Sequence, residues 1–138
     1  MHGGSSASIA LVAPMWLQDA LQVLLDGTAG VKLIATATDV DSLTRQEMDG
    51  APDFVLLDAD RDNSVAVSEV DRIMQAWPKT ECVALVDNTG QIQLLKEVGA
   101  SLTLLKGASP QRLREVFQAL AEHKHRSERA TRPLTSRL

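Results

Sequence analysis

The chain has 138 residues, 44% of them hydrophobic and 23% charged, which is the size of one domain with its own core and not the composition of a disordered segment. Aromatic residues make up only 3%, with no Tyr; packing must rest on Leu, Val, Ile and Ala, and stacking platforms for single-stranded nucleic acid are disfavoured. The net charge of −4 is uneven: residues 123–138 hold five bases against one acid, a net of +4 that leaves −8 for the remainder, so the acidic body would repel DNA.

Met1 to Ser6 are polar and rich in Gly and Ser, as expected of a flexible amino terminus over residues 1–7. Five short apolar runs then alternate with amphipathic stretches: Ile9–Ala13, Val31–Ala35, Phe54–Leu57, Cys82–Val86 and Leu102–Leu105. Several are continuously apolar, the pattern of strands buried on both faces of a parallel sheet. Between the first two runs, Leu17, Ala20, Leu21 and Leu24 share one helical face. A second helix is expected over about Asp41 to Met48. Val67, Val70, Ile73, Met74 and Trp77 mark a third, ended by Pro78. A fourth runs over about Gly90 to Val98. The last starts with Ser109 as N-cap and Pro110 at the first helical position, and Leu113, Val116, Phe117 and Leu120 form its buried stripe.

Repeated strand–helix units imply right-handed crossovers. A closed eight-unit barrel needs about 250 residues. The economical α/β fold is therefore an open, doubly wound, flavodoxin-like sheet of five parallel strands in the order 2-1-3-4-5, with helices on both faces. The expected division is a flexible terminus at 1–7, one domain at 8–122 and a basic linker or tail at 123–138. The lone Cys82 permits no internal disulfide. No run approaches the ~18 apolar residues of a membrane span, and no signal-peptide pattern opens the chain. The expectation is a soluble cytoplasmic domain with no membrane partner.

In an open α/β sheet, sites form beyond the carboxyl ends of the central strands. The third strand ends in Leu56-Leu57-Asp58, followed by Ala59-Asp60-Arg61-Asp62, and the fifth ends in Leu104-Leu105-Lys106. That sheet order puts Asp58 and Lys106 on one rim. The stretches Pro52–Asp58 and Gly99–Pro110 resemble the receiver domains of bacterial response regulators, particularly the subfamily with a carboxyl-terminal helix-turn-helix domain; the likeness covers roughly residues 8 to 121. In that family, the aspartate ending the third strand accepts a phosphoryl group from a histidine kinase. Two acids after the first strand hold Mg²⁺, a Ser/Thr after the fourth strand and a Lys ending the fifth bind the phosphoryl oxygens, and an aromatic on the fifth strand reports the change. The resemblance makes Asp58 the phosphoacceptor equivalent and Lys106 the lysine equivalent.

The remaining positions depart from the family pattern. The acidic pair falls on Ala13 and Pro14, the hydroxyl on Val86 (or on Asp87 with a one-residue shift), and the aromatic on Thr103. Mg²⁺ requires oxygen ligands in near-octahedral geometry, so its binding is expected to be weak or absent. A phosphate on Asp58 would have no switch to move. Asp60, Asp62 and Asp87 could build a substitute metal site, but solvated loop acids are the simpler reading. Asp58 and Lys106 are read first as a structural ion pair.

Other chemistry finds little support. Cys82 lies in an apolar run and reads as an inert thiol. His2, His123 and His125 fall at the ends of the chain, and no Gly-Lys-Ser/Thr phosphate loop or Ser-His-Asp set occurs in the body. Trp16 and Trp77 read as core. The sequence therefore suggests a non-enzymatic, degenerate receiver that needs no cofactor. It would regulate by homodimerising, or by docking to a histidine kinase or partner regulator. DNA would be reached only through an attached helix-turn-helix domain, for which the basic tail resembles the linker. The alternatives are a conventional phosphoreceiver and a small-ligand sensor using an emptied rim around Ala13, Pro14 and Val86.

Overall fold

The computed structural model describes residues 6–59 and 62–136, with side chains at the carboxyl end described as far as Lys124. The elements alternate throughout: β1 (Ala7–Val12), α1 (Met15–Asp26), β2 (Val31–Ala37), α2 (Val40–Thr44), β3 (Phe54–Asp58), α3 (Asn63–Ala76), β4 (Glu81–Val86), α4 (Gly90–Glu97), β5 (Leu102–Leu105) and α5 (Pro110–Ser136). The five strands form one parallel sheet in the order β2-β1-β3-β4-β5, the architecture that the apolar runs predict.

Strand pleating explains why the central runs carry no polar alternation. Successive side chains point to opposite faces, and both faces are covered. Ala10, Val12, Val55, Leu57, Cys82, Ala84 and Val86 pack beneath α2, α3 and α4, where Val40, Leu43, Val70, Ile73 and Leu95 meet them. The intervening residues Ile9, Leu11, Phe54, Leu56, Val83 and Leu85 pack beneath α1 and α5, against Leu21, Leu25, Leu113 and Phe117. Either face polar would have left half of each strand unexplained.

Helix boundaries are set by local chemistry. Asp39 accepts a hydrogen bond from the Ser42 amide at 2.7 Å and starts α2. That helix is only five residues long, shorter than the expected Asp41–Met48. The chain beyond Arg45 leaves helical geometry, and the Gln46 side-chain Nε2 donates to the Thr36 carbonyl at 2.7 Å. The Ser109 hydroxyl accepts from the Arg112 amide at 3.2 Å and opens α5 as expected. Gly99 has φ +120, a left-handed conformation, and a Cβ there would lie 3.3 Å from Met74; both reasons favour glycine at the turn into β5.

Two observations bear on the chain ends. The backbone of α5 remains helical to Ser136, through the segment read as linker. Residues 111–132 contain neither Gly nor Pro, so their charge did not prevent helix formation. At the opposite end β1 takes in Ala7, a residue assigned to the flexible terminus. Its amide donates to the Gly30 carbonyl at 2.8 Å.

The amino-terminal edge of the sheet is closed by a polar latch. Ser8 donates its amide to Asp53 Oδ2 and accepts the Asp53 amide on its hydroxyl, both at 2.9 Å. Lys124 Nζ from α5 lies 3.0 Å from Asp53 Oδ1. The Thr80 hydroxyl donates to the Pro52 carbonyl at 2.6 Å.

Candidate functional site

At the carboxyl-terminal rim, β3, β4 and β5 bring the two charged positions together. Asp58 closes β3 opposite Leu85 of β4, and Leu85 pairs with Leu104 of β5. The Lys106 amide donates to the Val86 carbonyl at 2.9 Å, which continues the β4–β5 ladder one step past β5 and fixes where the lysine departs. Its Nζ lies 2.8 Å from Asp58 Oδ1. The aspartate side chain is 3% exposed and the lysine 18%, so the pair is largely removed from water. The same ammonium sits 5.8 Å from the centroid of the Trp16 ring, within cation–π range.

The two positions that the resemblance gives to the acidic pair, Ala13 and Pro14, carry no oxygen side chain. Ala13 is completely buried and ends in a methyl group. Its carbonyl accepts from Gln18 Nε2 at 2.8 Å, and the same amide donates to the Ala37 carbonyl at 3.2 Å. Pro14 serves as the residue before α1, with φ −62 and ψ 153, a conformation that suits a helix entry. Asp62 is occupied as the N-cap of α3. Its Oδ1 accepts from the Ser64 hydroxyl at 2.6 Å and from the Ser64 amide at 2.8 Å. These two bonds, the hydroxyl first, hold its carboxyl below the usual Asp range. Asp87 is exposed, and Asp60 lies outside the described residues. No group of three His, Cys, Asp or Glu side chains among the described residues is arranged to hold a metal ion. Among the described residues, the donors do not fit the Mg²⁺ site that the receiver resemblance implies.

The positions matched to the family's hydroxyl and aromatic hold Val86 and Thr103. Val86 is buried in the core between the sheet and α4. Thr103 is half-buried in β5 opposite Ala84. In their place Gln91, the second residue of α4 and a buried one, holds the rim. Its Nε2 donates to the Ala59 carbonyl at 3.0 Å and to Asn63 Oδ1 at 3.3 Å, while its Oε1 accepts from the Asp87 amide at 3.2 Å. One side chain therefore ties the loop after β4 to the loop after β3. Gln18 does the same for the ends of β1 and β2.

Gln18, Gln91 and Glu69 were not singled out from sequence. Each is a polar residue at a position its helix buries, and that interruption of an apolar face is the available signal. Glu69 Oε2 accepts from the Val40 amide at 3.4 Å, at the start of α2. Burial first, and the Glu69 charge second, push the Cys82 thiol up to about 12, consistent with an inert thiol. Trp16 is a correction. It is 73% exposed, because the buried stripe of α1 runs through Gln18, Leu21, Leu24 and Leu25 and leaves position 16 off that face. Ala20 is exposed for the same reason, whereas Trp77 packs against the core. His123 is exposed on α5, and His2 and the His125 side chain lie outside the described residues.

No family model and no curated protein matches this chain. Solved structures do. A LuxR-family DNA-binding response regulator from Silicibacter pomeroyi is similar at 23% identity and TM-score 0.69, over 85% of this chain and 93% of that one. The signal receiver domain of the putative response regulator NarL from Mycobacterium tuberculosis is similar at 14% identity and TM-score 0.71, over 86% and 98%. A CheY-like receiver domain protein from Methanospirillum hungatei follows at 11% identity and TM-score 0.69, over 90% and 99%. At these identities the likeness defines the architecture: this chain has the fold carried by response-regulator receiver domains.

Proposed function

We propose that this chain is a receiver-type signalling module that works without a phosphoryl switch, regulating by association with a second copy or a partner regulator. The carrying observation is the state of the rim. The position where a receiver needs a metal-binding acid is the buried methyl of Ala13, with its carbonyl bonded to Gln18. Attack of a carboxylate on a phosphoryl donor requires neutralisation of the developing charge, and Lys106 alone supplies part of what a cation and a lysine supply together. The glutamine ties support the same reading. The rim held at Ala59, Asn63 and Asp87 by one buried amide carries Val86 where the family has its hydroxyl and Thr103 where it has its aromatic. Under this reading the module is not an enzyme, needs no cofactor, and reaches DNA only through an attached helix-turn-helix domain.

The retained Asp58–Lys106 pair at 2.8 Å favours one alternative, a conventional phosphoreceiver served by a histidine kinase. Incubation with acetyl phosphate and Mg²⁺, read by intact mass, separates the two. No stoichiometric acyl phosphate is expected. Uptake that disappears in Asp58→Asn would overturn the proposal. Sedimentation over a range of protein concentrations tests self-association, for which a reversible dimer is expected.

A further inference from the structure

On the α1/α5 side of the sheet, next to Lys106, lies a cavity of about 310 Å³, at the small end of the range for ligand sites. Leu17 and Leu21 of α1, Leu85 of β4 and Leu113 of α5 form its walls, with Trp16 at one edge. Lys106 is the only charged side chain among its lining residues. The cavity is separate from the emptied positions at Ala13 and Val86, which are filled by core packing.

We propose that this cavity binds a small amphipathic anion, a carboxylate carried on a short hydrocarbon or aryl body. Its chemistry narrows the occupant. Five lining leucines favour an apolar body, and burying such a surface is the main attraction available. The single polar anchor is a cation, so the head group that gains a charge-assisted hydrogen bond is an anion. An ammonium has three N–H donors. A ligand carboxylate would share the Lys106 ammonium with the partners it already has, Asp58 among them. At ~30 Å³ per water the space equals roughly ten waters, suited to a ligand of about ten heavy atoms. Because Lys106 belongs to both places, occupancy would reach the rim directly: the ligand would share the lysine that holds the buried aspartate. The indole of Trp16, already beside that ammonium at 5.8 Å, would lie along the ligand body at the mouth.

The probes are octanoate and phenylacetate, with octan-1-ol as the neutral control, titrated into the full chain and followed by methyl and indole NMR shifts. Saturable shifts at Leu21, Leu113 and Trp16 are expected, with an octanoate dissociation constant of about 1 mM or tighter. Octan-1-ol should bind about 10-fold more weakly, and Lys106→Gln should weaken octanoate by a similar factor. Since Lys106→Gln also disturbs a buried pair, Ala20→Trp provides the second arm. Ala20 is an exposed lining residue, and a tryptophan there closes the mouth without entering the core. Loss of octanoate shifts in Ala20→Trp, with an unchanged melting temperature, supports the site. Absence of saturable shifts, equal affinity for octanol and octanoate, or unchanged binding in Ala20→Trp each overturns it. The result is independent of the acetyl phosphate assay, which reads Asp58 chemistry and not cavity occupancy.

Discussion

Strand β3 is bracketed by two aspartates, each with a lysine partner, and the two ends use them differently. At the amino end, Asp53 holds Lys124 at 3.0 Å, and its carboxylate also accepts the Ser8 amide. Its side chain is 23% exposed and that of Lys124 35%. This pair is one strand of a latch that joins β1, β3 and α5, and water screens it. At the carboxyl end, Asp58 and Lys106 meet at 2.8 Å with far less exposure. Similar chemistry thus yields a screened clamp at one end and a desolvated charge pair at the other. Burial decides what each pair is worth, and which end can be disturbed by a bound molecule.

The largest test removes one member of the buried pair. Lys106→Met leaves the Asp58 carboxylate buried without its cation and is expected to cost about 3 kcal/mol in urea unfolding. Adding Asp58→Asn should recover a large part of that loss, because both charges are then gone. Equal costs for the single and double variants would deny that the two groups are coupled.

Replacing the rim glutamines comes next. Gln91→Leu strips the Ala59 carbonyl and the Asp87 amide of buried partners, and Gln18→Leu does so for the Ala13 and Ala37 carbonyls. Each should cost about 2 kcal/mol. Amide exchange at Asp87 should accelerate only in Gln91→Leu, which locates the loss at the loop after β4.

Cys82 lies in the strand between the pairs and reports on burial without a lysine. Its folded thiol is raised from 9.0 to about 12, so between those pH values the unfolded chain releases a proton that the folded chain retains. Stability is therefore full below pH 9 and falls as pH rises, by about 1 kcal/mol at pH 10. Cys82→Ala should flatten that slope in chemical unfolding between pH 8 and about 10. Thiol reagents should label Cys82 only after denaturation.

The smallest effect belongs to the amino-terminal latch. Lys124→Met is expected to cost no more than about 1 kcal/mol, and the difference should shrink in high salt. A larger, salt-independent loss would mean that the two ends of β3 are energetically alike.

The strands were legible because a strand covered on both faces has to be apolar along its whole length, as Phe54–Leu57 and Cys82–Val86 are. The N-cap of α5 was legible because Ser-Pro carries its own geometry. The length of α2 was not, since its end depends on Gln46 reaching Thr36 on a neighbouring strand. Trp16 was misplaced because the apolar spacing of α1 did not reveal that its buried face begins at the polar Gln18, whose amide is held by the carbonyls of Ala13 and Ala37. Asp58 and Lys106 could be assigned to one rim from strand order. Their separation could not, nor could the glutamine ties beside them.

By itself, then, the sequence determined the layered α/β architecture, the rim formed by the carboxyl ends of the strands, and the absence of acidic side chains at Ala13 and Pro14. Those follow from hydrophobic period and residue identity, which are local properties of the chain. Only the tertiary structure decided that Asp58 is desolvated against Lys106, that Gln18 and Gln91 bind the strand ends together, and that a leucine-lined cavity opens beside the lysine. Each of these depends on atoms brought together from elements distant along the chain, and burial is a property of that assembly.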